Sequence, residues 1–341
     1  MTYYFANTFS KDGIISILPE LNSSIQIITI RGLPRSIVNI FLRDLKEDLS
    51  LQDIPIQSYS SCYYPDTPDI LIIPILKRVI LHENILNGLQ INQNLNTQEL
   101  DLAKLCSKDL LEYYQRSINE LMTKKDHYQK QGLNFLSMLP LSDHKYQITN
   151  EMLLLLQSLF PITAEDTGKP ERRLYSSITS RGWISHIEPL TASFKRRYII
   201  HSSTAFLKSF FQLVESKAIN SNMECTLLIN PLLPNENEGI IFQKEKQLII
   251  AHSPYYSWNK RPQDVELYLA YNGTSPTKNE TFEHNLSLAI NSLVKAHSYR
   301  EELDEYYWYS LDLDQIFQER IRLMHQLLSL CDGQELWNNF I

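Results

Sequence analysis

Residues 25–42 read Ile25-Gln-Ile-Ile-Thr-Ile-Arg-Gly-Leu-Pro-Arg-Ser-Ile-Val-Asn-Ile-Phe-Leu42. The isoleucine-rich beginning is typical of a buried β-strand. Gly32 and Pro34 then predict a turn, and the apolar spacing that follows predicts a helix with one buried face. The segment therefore predicts a strand, a short loop and a helix in succession.

The same succession recurs in the second half of the chain. Its strand is Arg197-Tyr-Ile-Ile200, and its loop and helix are His201-Ser-Ser-Thr-Ala-Phe-Leu-Lys-Ser-Phe-Phe-Gln212. Upstream, Gly13-Ile-Ile-Ser-Ile is echoed by Gly182-Trp-Ile-Ser-His, at an offset of 169 residues (182 − 13). Self-similarity at one offset predicts an internal duplication.

Further elements follow in the same order in both halves. The matched pairs are Ile54–Tyr59 with Cys225–Ile229, the turn-rich 65–69 with 234–238, Ile70–Leu76 with Gly239–Phe242, and Val79–Leu81 with Gln247–Ala251. Each half then closes on an apolar helical stripe: Leu110, Leu111, Tyr114, Ile118, Leu121 and Met122 in the first, and Leu286, Ala289, Leu293 and Ala296 in the second. Alternating strands and helices predict an α/β fold in which each half is a largely parallel sheet flanked by helices, with a helical appendage. We expect the boundary near 161–170.

Length and composition narrow the class of protein. A chain of 341 residues suggests about two domains. The 39 acidic and 32 basic residues give a net charge of −7, so nucleic acid and anionic membranes are not the expected partners. The four scattered cysteines form no CxxC pair, which favours reduced thiols and no metal cluster. No signal peptide or apolar span is evident, so we expect a cytoplasmic protein.

Three phrases carry a resemblance to a known family: Leu174-Tyr-Ser-Ser-Ile-Thr-Ser-Arg-Gly-Trp-Ile-Ser185, Lys195-Arg-Arg-Tyr-Ile-Ile200 and Tyr306-Tyr-Trp-Tyr-Ser-Leu-Asp-Leu-Asp314. Together with the order of elements, they resemble a bacterial family of tandem P-loop proteins described as ATPases or nucleotide-kinase-like. The resemblance covers nearly the whole chain. It implies two P-loop NTPase-like halves, 1–160 and 161–341, each with a phosphate-binding GxxxxGK[ST] loop.

The first of these loops, 31–40, departs from that pattern. It keeps Gly32 and Pro34, but the second glycine, the lysine and the hydroxyl residue are replaced by Ile37, Val38 and Asn39. A P-loop uses its lysine on the phosphates and its hydroxyl on Mg²⁺. We therefore expect this degenerate loop to hold no triphosphate.

The second loop, 201–210, is only partly degenerate. Ser202 and Leu207 replace the glycines, while Lys208 and Ser209 keep the basic and hydroxyl positions. A helix N-terminus still offers N–H donors to an anion. The candidate phosphate-binding residues are Ser203, Thr204, Lys208 and Ser209, with Ser209 as a Mg²⁺ ligand only if nucleotide binds. The alternative is that Lys208 is an ordinary helix lysine and Ser209 a first-turn residue.

Hydrolysis also needs an acidic residue after a later strand. In both halves that place is taken by a histidine, His82 and His252, which correspond at an offset of 170 (252 − 82). Histidine is a poor ligand for Mg²⁺. The two imidazoles could bind a transition metal, or be hydrogen-bonded strand-end residues. Asp66 and Asp69 form a carboxylate pair in a Pro-rich turn, and turn chemistry explains them without catalysis.

Two surface features leave alternatives open. A basic cluster comprises Lys169, Arg172, Arg173, Lys195, Arg196 and Arg197. It could neutralise a phosphate or polyanion, or form salt bridges with Glu165, Asp166 and Glu171. The aromatic run Tyr306–Tyr309 could stack on bases, pack the helical appendage or bind a partner.

These patterns leave two hypotheses. The first, which we favour, is a non-catalytic P-loop-like protein that acts by binding or regulating a protein partner, such as an active relative. The second is a weak nucleotide binder or slow ATPase that uses ATP and Mg²⁺ only in its second half. No GxSxG elbow or local Cys/His signature suggests nucleophilic catalysis.

Overall fold

The computed structural model of the chain describes residues 4–17, 25–86, 96–140, 147–160, 168–253, 259–269 and 280–332. The strands are β1 Tyr4–Phe5, β2 Asn7–Ser10, β3 Gly13–Ser16, β4 Gln26–Arg31, β5 Gln57–Ser60, β6 Pro68–Ile73, β7 Arg78–His82, β8 Asn96–Asp101, β9 Glu171–Arg173, β10 Ser176–Thr179, β11 Gly182–Ser185, β12 Arg196–His201, β13 Thr226–Ile229, β14 Asn237–Phe242, β15 Gln247–Ala251 and β16 Asp264–Tyr268. The α-helices are α1 Arg35–Ser50, α2 Glu83–Leu86, α3 Lys108–Tyr113, α4 Gln115–Ser137, α5 Asn150–Leu159, α6 Ile187–Leu190, α7 Thr204–Asn220, α8 Glu280–Ser310 and α9 Leu313–Asp332.

The predicted strand, loop and helix at residues 25–42 are present as β4 and α1. Pro34 precedes the first helical residue, where its missing N–H costs nothing. The buried face of α1 includes Ile37, Phe41, Leu45 and Leu49, one every four residues, and it packs against the β6–β7 side of the sheet. This spacing holds the helix on the sheet, because residues four apart lie on one face.

The chain divides into two compact units. Unit 1 comprises residues 1–2, 21–131 and 291–341, and unit 2 comprises 3–20 and 132–290. The division 1–160 and 161–341, which follows the sequence repeat, stays a prediction. The expected boundary falls largely on 161–167, outside the described residues.

In unit 1 the strands lie in the order β5-β6-β7-β4-β8. Strand β4 pairs in parallel with β7 and β8, while β6 is antiparallel to both of its neighbours. In unit 2 the order is β9-β13-β14-β15-β12-β16, and β14 is antiparallel to both of its neighbours. Both sheets are therefore largely parallel. The order β5-β6-β7-β4-β8 of the first matches β13-β14-β15-β12-β16 of the second, which is consistent with two repeated halves.

The match between the repeats shifts by one residue in the loop after the central strand. Strands β4 and β12 correspond at an offset of 170, since both span six residues (26–31 and 196–201). The buried helix positions Ile37, Phe41 and Leu42 correspond to Phe206, Phe210 and Phe211, an offset of 169. The second loop is accordingly one residue shorter, with 202–203 in place of 32–34.

Each unit has its own core. In unit 1 the faces of α1 and α9 enclose one cluster with the sheet, and in unit 2 the faces of α5 and α7 enclose another. Unit 2 also contains two similar hairpins, β2–β3 and β10–β11. They are joined where the Ser177 hydroxyl donates to the Asn7 carbonyl at 3.0 Å and the Ile178 N–H donates to Thr8 Oγ1 at 3.1 Å.

The α/β class with helices against largely parallel sheets is confirmed. Strands β8 and β16, at one edge of each sheet, were not predicted, because their sequences lack an apolar run. None of the helices described is both long and apolar enough to cross a membrane.

Candidate functional site

We call the place where the parallel strands of a unit end its strand-end edge. In unit 1 it is formed by the ends of β4, β7 and β8, and in unit 2 by the ends of β12, β15 and β16. Ligands of α/β proteins generally bind at the carboxyl ends of parallel strands. The predicted loops 31–40 and 201–210 both begin at these edges, so the edges are the candidate sites.

The loop of unit 1 is shaped by internal packing. Gly32 has φ +85°, and a Cβ at this position would lie 2.6 Å from both the Cβ and the backbone nitrogen of Ala103. Beside it, the Leu102 N–H donates to the Arg31 carbonyl at 3.0 Å. The N–H groups of Ile37 and Val38 donate to the carbonyl of Pro34, at 3.1 and 3.2 Å. This glycine is therefore required by a close backbone approach within the protein, whatever else it binds.

Helix α1 begins with a cation that is paired inside unit 1. Asp69 is the extra residue of a β-bulge in β6 and is completely buried. Its Oδ1 lies 3.4 Å from Arg35 Nε, whose side chain is 10% exposed. Burial disfavours the charge of Arg35, but attraction from Asp69 and neighbouring groups leaves its pKa raised. The prediction that turn chemistry explains Asp69 is wrong, since this carboxylate is one half of a buried ion pair.

An aromatic ring adjoins this pair. The guanidinium carbon of Arg35 lies 4.5 Å from the ring centre of Tyr63, and that of Arg300 lies 3.8 Å from the same ring. Next in the chain, the Tyr64 hydroxyl donates to Asp304 Oδ2 at 2.5 Å. Side chains from α1, the turn after β5 and α8 thus fill this part of the strand-end edge of unit 1.

Lys208 holds its helix to the turn after β13. Its Nζ lies 2.5 Å from Glu236 Oε1, and the two side chains are only 12% and 17% exposed. By the helix offset of 169, Lys208 corresponds to Asn39, whose Nδ2 donates to Thr67 Oγ1 at 3.3 Å. Glu236 and Thr67 correspond at the same offset. Lys208 is therefore neither a solvated lysine nor the counterpart of Val38, and both repeats use this position for one helix-to-turn contact.

The remaining candidate residues of the second loop lie at the beginning of α7. The Ser203 side chain caps the helix by accepting from the Phe206 N–H at 3.3 Å. Ser202 donates to the Leu269 carbonyl at 2.8 Å. Thr204 is the first helical residue and is exposed, whereas Ser209 is 5% exposed within the helix. The structure thus brings Ser203 and Thr204 to the strand-end edge and places Ser209 on the buried face of α7.

His82 is a fully bonded strand-end residue. Its Nδ1 accepts from the Asn84 N–H at 3.0 Å, so its Nε2 donates to the Leu33 carbonyl at 3.2 Å. Burial, and then the charge of Arg35, lowers the pKa of His82, which keeps the ring neutral. The ring ties β7 to the loop before α1.

The predicted equivalence of His82 and His252 is wrong by one residue. In unit 1, His82 pairs with Ile30, whereas in unit 2 the residue paired with Ile200 is Ala251. Because Ile30 and Ile200 correspond, His252 lies one position beyond the place of His82. The two histidines also belong to different units.

His252 is part of an aromatic ladder that the sequence analysis missed. The ring of His201 stacks on His252 at 4.3 Å and 24°, and on Tyr268 at 4.3 Å and 13°. The rings stack because their residues end neighbouring parallel strands at one level. Burial, and then His252, lowers the pKa of His201, and burial lowers that of His252.

Stacking excludes chelation of one metal ion by these two histidines. An imidazole binds a metal through a lone pair in its ring plane, and nearly parallel planes do not meet near the rings. Among the described ranges, no group of three or more His, Cys, Asp or Glu side chains is placed to hold a metal ion.

Unit 2 also contains an acid that corresponds to Asp69. Glu238 is the extra residue of the bulge in β14, at an offset of 169 from Asp69. The position of Arg35 is taken by Thr204, which carries no charge. Instead, the Tyr175 hydroxyl donates to Glu238 Oε1 at 2.5 Å. Burial raises the pKa of Glu238 to about 8, despite this hydrogen bond.

The basic cluster is divided between buried and surface residues. Arg197 is completely buried and forms two bonds to Asp264, at 2.7 and 2.5 Å, and one to Glu188 at 3.0 Å. Arg173 pairs with Glu171 at 2.5 Å, one of the predicted salt bridges. The predicted partners at 165 and 166 lie outside the described residues. Arg197 therefore serves the fold of unit 2.

The aromatic run packs the helical appendage of unit 1. Tyr306 and Tyr307 lie against the cluster of Ile118, Leu121 and Leu303, while Tyr309 is 77% exposed. All four cysteines of the chain are buried thiols. Comparisons with protein-family models, curated proteins and solved structures gave no match to this chain.

Proposed function

We propose that this protein is a non-catalytic member of the P-loop-like class, in which the phosphate-loop positions serve the fold and the protein acts by binding a protein partner. The observation that carries the proposal is the ion pair between Lys208 and Glu236, at 2.5 Å. A P-loop lysine has to reach the β- and γ-phosphates. Here the ammonium group would first have to leave a nearly buried carboxylate.

The short loops support the same proposal. A GxxxxGK[ST] loop wraps several backbone N–H groups around a phosphate before its helix begins. In this chain only residues 32–34 or 202–203 separate the strand from the helix. In unit 1 the third and fourth N–H groups of the helix, those of Ile37 and Val38, bond to the Pro34 carbonyl.

A partner surface is suggested where α8 meets α9 in unit 1. We call the exposed side chains of Tyr113, Tyr309, Leu313 and Phe317 the corner patch; they are 79%, 77%, 57% and 49% exposed. The segment before α3 is fixed to this corner, because the Ser107 N–H donates to the Ser310 carbonyl at 2.8 Å. Exposed tyrosine and phenylalanine are typical of binding surfaces.

Acidic residues next to the corner patch indicate the charge that a partner should carry. The exposed acids Glu112, Asp312 and Asp314 lie beside the patch residues in the chain. We therefore propose a protein partner with an apolar centre and a basic rim, and not a nucleic acid. With all cysteines reduced, we place this function in the cytoplasm.

Thermal unfolding with and without MgATP tests the non-catalytic part. We expect no shift of the melting temperature, whereas a ligand at 100 times its Kd would add about 2.7 kcal/mol of stability. The matched variants are Lys208→Ala and Lys195→Ala, because Lys195 is an exposed lysine of the same unit. A shift that Lys208→Ala abolishes and Lys195→Ala preserves would establish the alternative, a weak nucleotide site or slow ATPase in the second half.

Site-specific photocrosslinking in cells tests the partner surface. A photoreactive amino acid at Tyr309 is expected to give a discrete protein adduct. The control position is Leu51, which is 80% exposed in the same unit but lies after α1. Equal labelling from both positions, or none from Tyr309, would remove the corner patch from the proposal.

A further inference from the structure

Two hairpins of unit 2 are equivalent in the two sequence repeats. Strands β2 and β3 correspond to β10 and β11 at an offset of 169, and both hairpins pair in the same register. Their turns are bonded alike. Ser10 Oγ donates to the Gly13 carbonyl at 2.9 Å, and Thr179 Oγ1 donates to the Gly182 carbonyl at 2.8 Å. The sequence repeat is therefore also a structural repeat in these hairpins.

The residues just before these hairpins pair with each other. Phe5 and Leu174 form an antiparallel bridge, in which the Phe5 N–H donates to the Leu174 carbonyl at 2.7 Å. The two residues correspond at the same offset of 169 (174 − 5). Both side chains are completely buried, in one cluster with Ile229. A residue that pairs with its own equivalent lies beside a twofold axis, which is the mark of an isologous interface.

Helices α4 and α8 show the same relation in unit 1. Both contain a lysine and a tyrosine four residues apart, at 124 and 128 in α4 and at 295 and 299 in α8. The rings of Tyr128 and Tyr299 stack on each other, with centres 5.6 Å apart and planes at 19°. Lys124 Nζ lies 5.6 Å from the ring centre of Tyr299, and Lys295 Nζ lies 5.2 Å from that of Tyr128. Each helix thus makes the same contacts to the other, as a twofold axis requires.

The last helix of each repeat packs on the helix that follows the central strand of the other repeat. Helix α9 ends the second repeat, yet it packs in unit 1 on α1. Helix α5 ends the first repeat, yet it packs in unit 2 on α7. The buried positions of these two helices correspond at an offset of 171; they are Leu323, Leu327 and Cys331 in α9 and Met152, Leu156 and Phe160 in α5. The repeats therefore exchange their last helices.

Polar contacts hold both exchanged helices. In unit 1, Arg320 of α9 pairs with Asp44 at 2.6 Å and with Asp48 at 3.0 Å, both on α1. In unit 2, Gln247 Nε2 of β15 donates to the Leu159 carbonyl at the end of α5, at 2.5 Å. The division of the chain agrees with the exchange, because α4 begins in unit 1 and ends in unit 2, whereas α8 begins in unit 2 and ends in unit 1.

We propose that the chain is a dimer of its two repeats joined into one polypeptide. Its isologous surfaces are the hairpin with the segment before it, and the tyrosine-bearing face of α4 or α8. The partner of each surface is the equivalent surface of the other repeat. Neither repeat contains a complete core, since α1 needs α9 and α7 needs α5. Cutting the chain between the repeats should therefore leave the two halves bound to each other, as in a dimer that exchanges an element.

Cleavage of the folded full chain tests the proposal. A protease site is inserted within 161–167, between α5 and β9, and the protein is cut under native conditions. We expect the two fragments to co-elute in equal amounts, at the elution volume of the uncut protein. Two tandem domains that each contain their own core would separate once cut, so elution of the fragments at different volumes would overturn the proposal.

Hydrogen exchange of full-length variants tests the exchanged helices. Leu327→Ala truncates a buried side chain of α9, so we expect the amides of α1 to exchange faster by roughly 100-fold, while those of α7 change little. Leu156→Ala, in α5, should give the reverse result. The matched control is Leu330→Ala, since this residue of α9 is 41% exposed and should leave both helices protected.

A loss of protection in α7 that equals or exceeds the loss in α1 for Leu327→Ala would refute the exchange of helices. If Leu327→Ala or Leu156→Ala does not fold, cleavage of the otherwise unchanged chain decides.

Discussion

At the strand-end edge of unit 1 the central strand ends in Arg31, which pairs with Asp101 on the neighbouring strand at 3.1 Å. At the edge of unit 2 the equivalent residue is His201, which stacks on Tyr268. The same contrast recurs at the bulges, where Asp69 faces Arg35 but the acid of unit 2 faces a phenol. At these two positions unit 1 has pairs of opposite charges, whereas unit 2 has a stack of aromatic rings and a carboxyl group that accepts from a phenol.

The comparison shows that one strand order accommodates two ways of pairing polar side chains at the same positions. A permanent ion pair gives contacts that hardly change with pH, because Arg is always charged. A histidine stack and a carboxyl group that accepts from a phenol contain groups whose charge depends on proton binding. The two repeats therefore differ at the edge where their central strands end.

Among these tests, replacing Arg35 by Met should destabilise the protein most, because it removes the ion pair that distinguishes unit 1 from unit 2. The substitution keeps much of the apolar volume but leaves the completely buried Asp69 without its cation. Breaking a buried pair in this way costs about 3–5 kcal/mol. Urea unfolding followed by circular dichroism measures the loss.

The control lies in the same helix. Arg43 is 47% exposed and pairs with Asp44, so Arg43→Met should cost no more than about 1 kcal/mol. Adding Asp69→Asn to Arg35→Met should recover part of the loss, because the uncompensated charge is gone. If Arg35→Met and Arg43→Met are equally stable, the buried pair of Arg35 with Asp69 does not stabilise unit 1 as proposed.

The sequence specified the elements better than the contacts between them. The apolar period of α1 and the strand β15 could be predicted because burial repeats locally along the chain. The pairing of Arg35 with Asp69 could not, since it depends on a bulge 34 residues away (69 − 35). The polar strand β8 was missed because an edge strand needs no buried face.

The site was harder to predict for one specific reason. The two loops differ by one residue in length, so a single offset of 170 aligned Lys208 with Val38 instead of Asn39. That slip made Lys208 look like the retained lysine of a phosphate loop. Its contact with Glu236, and the matching contact of Asn39, appear only when helix positions are compared by burial.

A substitution at Gly32, in the loop of unit 1, should lower the stability by a smaller amount. Under the packing explanation, Gly32→Ala brings a methyl group against the backbone of Ala103 at 2.6 Å and strains a φ of +85°. We expect a loss of about 2–4 kcal/mol, from backbone strain together with overpacking. The measurement is again urea unfolding, in the absence of nucleotide.

Gly13→Ala separates strain from packing. Gly13 also has a positive φ, +107°, but nothing lies within 4 Å of its absent Cβ. Strain alone then predicts a loss of about 1–2 kcal/mol. If Gly32→Ala costs no more than Gly13→Ala, the approach of Ala103 does not explain the glycine. A glycine with no such internal role would point back to a loop shaped for a phosphate ligand, and the first strand-end edge would have to be reconsidered as a binding site.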